Sequence, residues 1–156
     1  MSRAFVKEQD DRPEDLPERP VSSNPNFVTA RGLNLIDGEI EAYRKLLAQG
    51  QHDQDKAMIA RASRDLRYWT QRRSSAQLVG SVAKPEAVAF ATRVSIERED
   101  GRRQVFSIVG EDEADPAQGL IAYTSPLARA LMGKAVDEAA EAPGGEVEVV
   151  KIEGLS

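Results

Sequence analysis

The sequence predicts an α+β protein in which an antiparallel helical hairpin (a coiled coil) precedes a small antiparallel sheet domain with one short helix. Two patterns predict this fold: apolar residues recur at helical spacing in the middle of the chain and alternate with polar residues in its last half. Charge changes at the same places, because residues 29–80 hold nine basic and six acidic side chains whereas residues 81–156 hold eight and fourteen. We therefore divide the chain into residues 1–28, 29–80 and 81–156.

Residues 1–28 are predicted to be a disordered tail. Their charges are clustered, their apolar residues have no period, and they contain four prolines: Pro13, Pro17, Pro20 and Pro25. Such a segment buries too little surface to offset the entropy lost on ordering. The alternative is a tail that orders against the protein's own body or against a partner.

Residues 29–80 are predicted to form two antiparallel helices. Apolar side chains in the first helix step by three or four residues: Leu33, Ile36, Ile40, Tyr43 and Leu47. The second helix carries a matching stripe: Ile59, Ala62, Leu66, Trp69 and Ala76. Gly50 is a typical helix terminus, and two helices joined by so few residues must run antiparallel. We expect helices of roughly 19 and 26 residues, about 29 and 39 Å long at about 1.5 Å per residue.

Residues 81–156 are predicted to form five short strands and one helix. Residues 92–96 and 104–109 alternate around the turn signal Asp100-Gly101, and further strands are expected at 120–123 and on both sides of Pro143-Gly144-Gly145. Ser125 followed by Pro126 is typical of a helix start, which makes Ser125 a cap rather than a nucleophile.

Composition narrows the class of protein. The chain has no cysteine, which suits a reducing compartment, and it has no long apolar run, so we expect a cytoplasmic protein without membrane contact. The net charge of −5 disfavours affinity of the whole chain for a nucleic-acid backbone, so the expected partner is a protein. The glycines match no phosphate-binding pattern, and no cofactor is expected.

Two long motifs carry a family resemblance. Residues 108–115 are Ile-Val-Gly-Glu-Asp-Glu-Ala-Asp, and residues 123–134 are Tyr-Thr-Ser-Pro-Leu-Ala-Arg-Ala-Leu-Met-Gly-Lys. Over nearly its whole length, the third region resembles the C-terminal domain of Gre-type (GreA/GreB) bacterial transcription elongation factors. The resemblance implies an FKBP-like domain that anchors on the rim of the secondary channel of RNA polymerase, with the hairpin inserted toward the active centre. It implies a regulator that is not itself an enzyme.

The polymerase-binding residues that the resemblance implies lie in the acidic loop and at the start of the short helix: Asp112, Glu113, Asp115, Tyr123, Ser125, Pro126 and Leu127. The hairpin is shorter than in the cleavage factors of the family and nearer to the relatives known as regulators of nucleoside diphosphate kinase. Three functions therefore remain open: a regulator that occupies the channel, a factor that stimulates transcript cleavage, and a regulator of another enzyme. Prolyl isomerase activity, which an FKBP-like fold raises, is disfavoured by the few aromatic rings.

Asp53 and Asp55 are the candidate catalytic carboxylates at the hairpin tip. In the cleavage factors, an acidic pair spaced by three residues helps to hold a magnesium ion and the attacking water; here the spacing is two. Aspartates before a helix are also preferred caps, and this interpretation needs no further assumption. We therefore predict no metal site and treat His52 as a solvated loop residue.

Three arginines of the second helix, Arg61, Arg64 and Arg72, fall within about an 80° arc and predict a basic hairpin face. One interpretation is an ordinary solvated face. The other is contact with an acidic surface of the polymerase or with the nascent RNA.

Overall fold

The computed structural model describes residues 16–155. Two helices, α1 (Ala30–His52) and α2 (Lys56–Ser75), precede a five-stranded sheet with one short helix, as the sequence predicts. The chain divides into two compact units. Within the described range, the hairpin unit contains residues 16–22 and 36–75, and the sheet unit contains residues 23–35 and 76–155. The division falls inside α1.

The two helices of the hairpin unit run antiparallel. Gly50 lies against Ile59 beside the turn, and the Nε of Arg73 lies 2.8 Å from the Oδ1 of Asp37 farther along both helices. The interior of the unit contains the expected Ile36, Ile40, Ala62 and Trp69, together with Asp65 and Arg72. On α2 the buried residues are Ala62, Asp65, Trp69 and Arg72. Ala62 and Trp69 were predicted to lie on the packing stripe, whereas the predicted Leu66 is only half-buried.

The helix boundaries differ from the prediction. α1 continues through Gly50 to His52 and has 23 residues, and α2 ends at Ser75 and has 20. Gly50 is a point of close packing, since a Cβ there would lie 3.1 Å from the Cγ1 of Ile59. A small residue at this position therefore lets the helices approach near their turn.

The disorder predicted for residues 1–28 does not hold for residues 16–28, and the rest of that range lies outside the described residues. In the hairpin unit, the guanidinium of Arg19 lies 3.9 Å from the centre of the Tyr68 ring. In the sheet unit, β1 (Phe27–Val28) pairs in parallel with β2 (Gln77–Leu78). These contacts offset the entropy that residues 16–28 lose on ordering, and they could not be inferred from the composition of the segment.

The five remaining strands form one sheet. Their bounds are β3 (Thr92–Arg98), β4 (Arg103–Val109), β5 (Leu120–Ala122), β6 (Ala139–Ala142) and β7 (Gly145–Gly154). The strand order is β5-β4-β3-β7-β6. The prediction of a wholly antiparallel sheet is wrong, because β5 pairs in parallel with β4. The polar loop between the two strands carries the chain back along β4, so that both strands run in the same direction.

The core of the sheet unit is aliphatic. Helix α3 (Pro126–Leu131) packs its buried Ala128 and Leu131 with one face of the sheet, which contributes Val94, Ile96, Ile108, Ile121, Val147 and Val149. Helix α3 begins as predicted, since the Ser125 Oγ accepts a hydrogen bond from the Ala128 N–H at 3.3 Å. Among residues 16–155 no helix is long and apolar enough to cross a membrane.

Candidate functional site

The hairpin tip is a tight turn in which Asp55 caps α2. The Met58 N–H donates to the Asp55 Oδ1 at 3.1 Å, and the Ile59 N–H donates to the Asp55 carbonyl at 3.0 Å. Gln54 has a φ of 55°, which turns the chain between the helices. One oxygen of Asp55 is therefore committed to a backbone donor that would otherwise be unpaired.

Asp53 has a local partner as well. The Gln49 Nε2 donates to the Asp53 Oδ2 at 2.7 Å, within one turn of the end of α1. His52, Asp53 and Asp55 are all exposed. Within residues 16–155 there is no group of three or more His, Cys, Asp or Glu side chains placed to hold a metal ion. The tip thus presents two exposed carboxylates that already accept hydrogen bonds from their own helices.

The structure does not bring the three predicted basic residues together on one exposed face. Arg61 is exposed, Arg64 is half-buried with its Nε 3.1 Å from the Asp65 Oδ1, and Arg72 is only 2% exposed. The basic face predicted for Arg72 is therefore wrong. Its place in the sequence is that of a buried heptad position three residues after Trp69, and a surface interpretation of arginine overlooked that spacing.

A cation outside that prediction, Arg67, lies exposed on α2 and contacts Glu18. Its Nη2 donates to the Glu18 Oε1 at 2.6 Å, and its Nε donates to the same carboxylate at 3.0 Å. This hydrogen bonding holds the pKa of Glu18 below its ordinary value and raises the pKa of Arg67. Arg19, one residue after Glu18, lies 3.4 Å from the Asp65 Oδ1. Residues 18 and 19 thus place one negative and one positive group on the flank of α2.

In the sheet unit, Glu113 is buried, so its assignment as a surface contact for a polymerase is wrong. The carboxylate accepts a hydrogen bond from the Thr29 hydroxyl and lies 3.0 Å from the Arg31 Nη1. Thr29 in turn caps α1, since its Oγ1 accepts from the Gly32 N–H at 3.0 Å. Glu113 therefore holds the start of a 23-residue helix, where a negative charge is favourable.

The neighbouring acidic residues remain accessible. Asp112 and Asp115 are half-exposed. The backbone of Asp115 forms two hydrogen bonds with Leu120, 2.8 and 3.1 Å long, which close the loop between β4 and β5. A short 3₁₀ turn (Pro116–Gln118) follows. The loop thus turns Glu113 inward and keeps Asp112 and Asp115, like Glu111, near the surface.

Tyr123 belongs to an aromatic cluster. Its ring lies 5.4 Å from Phe27 and 5.7 Å from Phe90, between ring centres, and its hydroxyl donates to the Pro25 carbonyl. The sequence analysis did not find this cluster, although an apolar pair directly before the capping Thr29 is a known signal of a fixed helix entry. Tyr123 therefore has a structural partner in the segment that was predicted to be disordered.

At the start of α3 the three motif residues have separate roles. Ser125 is the cap, Pro126 is exposed at the first helical position, and Leu127 is half-buried against the core. Three of the seven residues proposed to bind the polymerase hold a helix start or the aromatic cluster. The other four keep accessible surface: Asp112, Asp115, Pro126 and Leu127.

Known proteins are similar to this chain over most of its length. A family model described as "Transcription elongation factor, GreA/GreB, C-term" matches residues 83–154. Transcription elongation factor GreB of Pasteurella multocida is 32% identical over 143 residues, which cover 78% of this chain and 90% of that protein. GreA of Halorhodospira halophila is 45% identical over 86 residues, covering 51% of this chain and 54% of that protein.

The solved structure of GreA factor homolog 1 (Gfh1) of Thermus thermophilus is 20% identical in sequence, with a TM-score of 0.40. The match covers 84% of this chain and all of that one. The GreB match is stronger. Because 78% of 156 residues exceeds the 81 residues that follow Ser75, the match includes part of the hairpin as well as the sheet unit. The chain belongs to the GreA/GreB family of transcription elongation factors.

Proposed function

We propose that this chain binds RNA polymerase, that the sheet unit anchors it at the rim of the secondary channel, and that the hairpin enters the channel without supplying the carboxylates of transcript cleavage. The observation that carries this proposal is the match to GreB over most of both proteins, which extends into the hairpin. Relatives of that name are transcription elongation factors, and we extend their partner and mode of action to this chain.

The accessible residues of the two family motifs support an anchor in the sheet unit. Asp112 and Asp115 in the acidic loop and Pro126 and Leu127 at the start of α3 offer carboxylate and apolar surface. Glu113, Tyr123 and Ser125 hold the scaffold that presents them. A few well-placed residues carry most of the binding energy of a typical interface, so this small set is sufficient for an anchor.

Variants of the full chain test the anchor. A fragment that begins at residue 81 would lack β1 and the capping Thr29, which are part of the sheet unit. We therefore compare Asp112→Asn plus Pro126→Arg with the control Glu141→Gln plus Pro143→Arg, whose sites are also exposed. We expect the first pair to weaken binding to core polymerase by about tenfold or more and the control to change it little. Equal affinities of the two variants, with unchanged thermal midpoints, would place the anchor elsewhere.

The contacts at the tip support a role without cleavage. A magnesium ion requires carboxylate oxygens at about 2.0–2.1 Å. One oxygen of each aspartate already accepts a hydrogen bond, from the Met58 N–H to Asp55 and from the Gln49 amide to Asp53. The spacing of these residues also differs from that of the acidic pair of the cleavage factors. We infer that both aspartates stabilise the turn.

The decisive assay measures RNA cleavage in backtracked elongation complexes with the wild type and with Asp53→Asn plus Asp55→Asn. Asparagine also caps helices well, so the double variant should fold and bind normally. We expect no stimulation above the intrinsic rate of the polymerase with either protein, at concentrations that saturate binding. Strong stimulation by the wild type that disappears in the double variant would show that the pair supports the metal and would overturn this assignment.

A further inference from the structure

The sheet unit contains a cavity of about 350 Å³ that the proposed function does not use. Arg93, Ser107 and Leu120 lie in its wall and are direct partners across the strands β3, β4 and β5. Partners in adjacent strands point to the same face of a sheet, and Val94 and Ile108 place the core on the opposite face. The cavity is therefore on the outer face, where Thr29 and Arg31 of the α1 start also line it.

Two polar groups in this cavity lack protein partners. Ser107 is only 7% exposed, its side chain lines the cavity, and among residues 16–155 its hydroxyl has no hydrogen-bond partner. Arg93, opposite Ser107 on β3, forms no ion pair within the same described range. Both groups are therefore available to an incoming ligand.

The charge of the cavity favours a single negative charge. Arg31 is balanced by Glu113, whose Oε2 lies 3.0 Å from its Nη1. Arg93 is then the one lining cation without a balancing carboxylate in the described chain. A guanidinium binds a planar carboxylate through two parallel hydrogen bonds. A phosphate group, with nearly two charges at neutral pH, would be less well balanced here.

Val109, Leu120 and Leu155 form the aliphatic part of the wall, beside the polar side chains of Thr29 and Gln118. A volume of about 350 Å³ is at the lower end of the range for small-molecule sites. We propose that this cavity binds the carboxylate of a small aliphatic acid, with Arg93 and Ser107 on the carboxylate and the three aliphatic side chains around its hydrocarbon part. A free carboxylic acid and the C-terminal residue of a peptide share this chemistry. This proposal does not rest on the proposed function.

The test titrates the full chain with N-acetyl-L-leucine and follows backbone amide signals by NMR. We expect saturable shifts at Arg93, Ser107 and Leu120, and binding at least about tenfold weaker for N-acetyl-L-leucinamide, which has the same shape without the charge. Arg93→Gln should weaken binding of the acid by about tenfold, and Ser107→Ala by a smaller factor. Arg103→Gln is the matched control, because Arg103 is an exposed arginine on β4 that pairs with Glu97 instead.

The same titration distinguishes the two sources of the carboxylate, a free acid and the C-terminal residue of a peptide. An acetylated tripeptide ending in leucine that binds at least about tenfold more tightly than N-acetyl-L-leucine would identify a peptide C-terminus, whereas equal affinities would identify a free acid. Absence of saturable shifts at tens of millimolar would overturn the proposal. So would equal binding of the amide, or binding that Arg93→Gln and Arg103→Gln change by the same factor. Inorganic phosphate that binds with the same dependence on Arg93, in place of the acid, would also contradict it.

Discussion

The hairpin unit buries two charged side chains, Asp65 and Arg72, beside its aliphatic residues, whereas the fully buried core of the sheet unit is aliphatic and its buried Glu113 lies apart from it, at the α1 start. Burying a charge costs several kcal/mol unless partners compensate it. In the hairpin unit part of that compensation comes from outside the two helices, because Arg19 reaches Asp65 from the segment before them. The core of the sheet unit is therefore specified by strand periodicity, while the interior of the hairpin unit depends on specific polar contacts.

The largest effect that tests this comparison is expected at Arg72. The side chain is 2% exposed and engaged in an interaction within the protein. Arg72→Met keeps most of the side-chain volume but removes a buried charge from its interaction, so we expect a loss of about 3 kcal/mol or more in the free energy of unfolding. Urea titration followed by circular dichroism measures this change.

Its neighbour provides the control. Arg73 is exposed and pairs with the exposed Asp37, so Arg73→Met should cost less than about 1 kcal/mol. If the two substitutions cost the same, the buried charge is not a stabilising feature of the hairpin unit and the comparison fails.

In the sheet unit, we expect the stability to depend on the close approach of backbone segments at Gly110. Gly110 follows β4, and a Cβ there would lie 2.3 Å from the Phe27 carbonyl oxygen. Since this oxygen belongs to the backbone, β1 must move, and with it the contact between Phe27 and Tyr123. We expect Gly110→Ala to cost about 1–3 kcal/mol in the free energy of unfolding.

Gly80→Ala is the matched control for Gly110→Ala, because no atom lies within 4 Å of a Cβ built at Gly80. Thermal unfolding of both variants separates a local clash from a general effect of alanine. A midpoint for Gly110→Ala equal to that of Gly80→Ala would show that β1 does not pass close to the end of β4.

The features of the fold that the sequence predicts are those with local signals. Strands β3 and β4 were predicted because a period of two and the turn at Asp100-Gly101 are local signals; Gly101 has a φ of 85°, as such a turn requires. The parallel pairing of β5 was missed because it depends on the path of a polar loop. Asp65 and Arg72 were not expected in the hairpin interior. Their spacing along α2 is that of buried residues, but a charged side chain is ordinarily assigned to the surface.

The candidate site was predicted less well than the fold. The family motifs identify the acidic loop and the α3 start, but they cannot show that Glu113 turns inward while Asp112 and Asp115 stay half-exposed. That difference depends on Thr29, which is 84 residues away along the chain. The cap of Asp55 was predicted because it is a local interaction between a side chain and the next helical turn.

A smaller effect is expected at Glu113. Glu113→Gln keeps the size of the side chain and an oxygen for the Thr29 hydroxyl, but it removes the charge beside Arg31 and at the α1 start. We expect a loss of about 1.5–3 kcal/mol, the usual worth of a hydrogen bond to a charged group. Hydrogen exchange of the Gly32 and Leu33 amides should accelerate, because both donate to Thr29.

Asp115→Asn is the control for Glu113→Gln, since Asp115 is a half-exposed carboxylate of the same loop. It should leave the exchange of the two amides unchanged. Equal acceleration in both variants would assign the effect to the net charge of the loop rather than to the contact with Thr29.

The smallest expected effect is the pH dependence of the contact between Glu18 and Arg67. Hydrogen bonding from Arg67 lowers the pKa of Glu18 from its ordinary value of 4.5. A carboxylate with a lowered pKa in the folded state stabilises that state fully above the ordinary value and loses this contribution as the pH falls through the lowered value. Since both groups are on the surface, salt should weaken the contact, and the hairpin should stay folded when it breaks.

NMR titration of the Glu18 carboxyl carbon and the Arg67 Nε–H measures both partners, and Glu18→Gln should abolish the response at Arg67. Arg19 should keep its place over Tyr68 throughout, because this contact does not involve Glu18. Titration of Glu18 at its ordinary value would show that residues 16–22 do not hold this contact with α2 in solution.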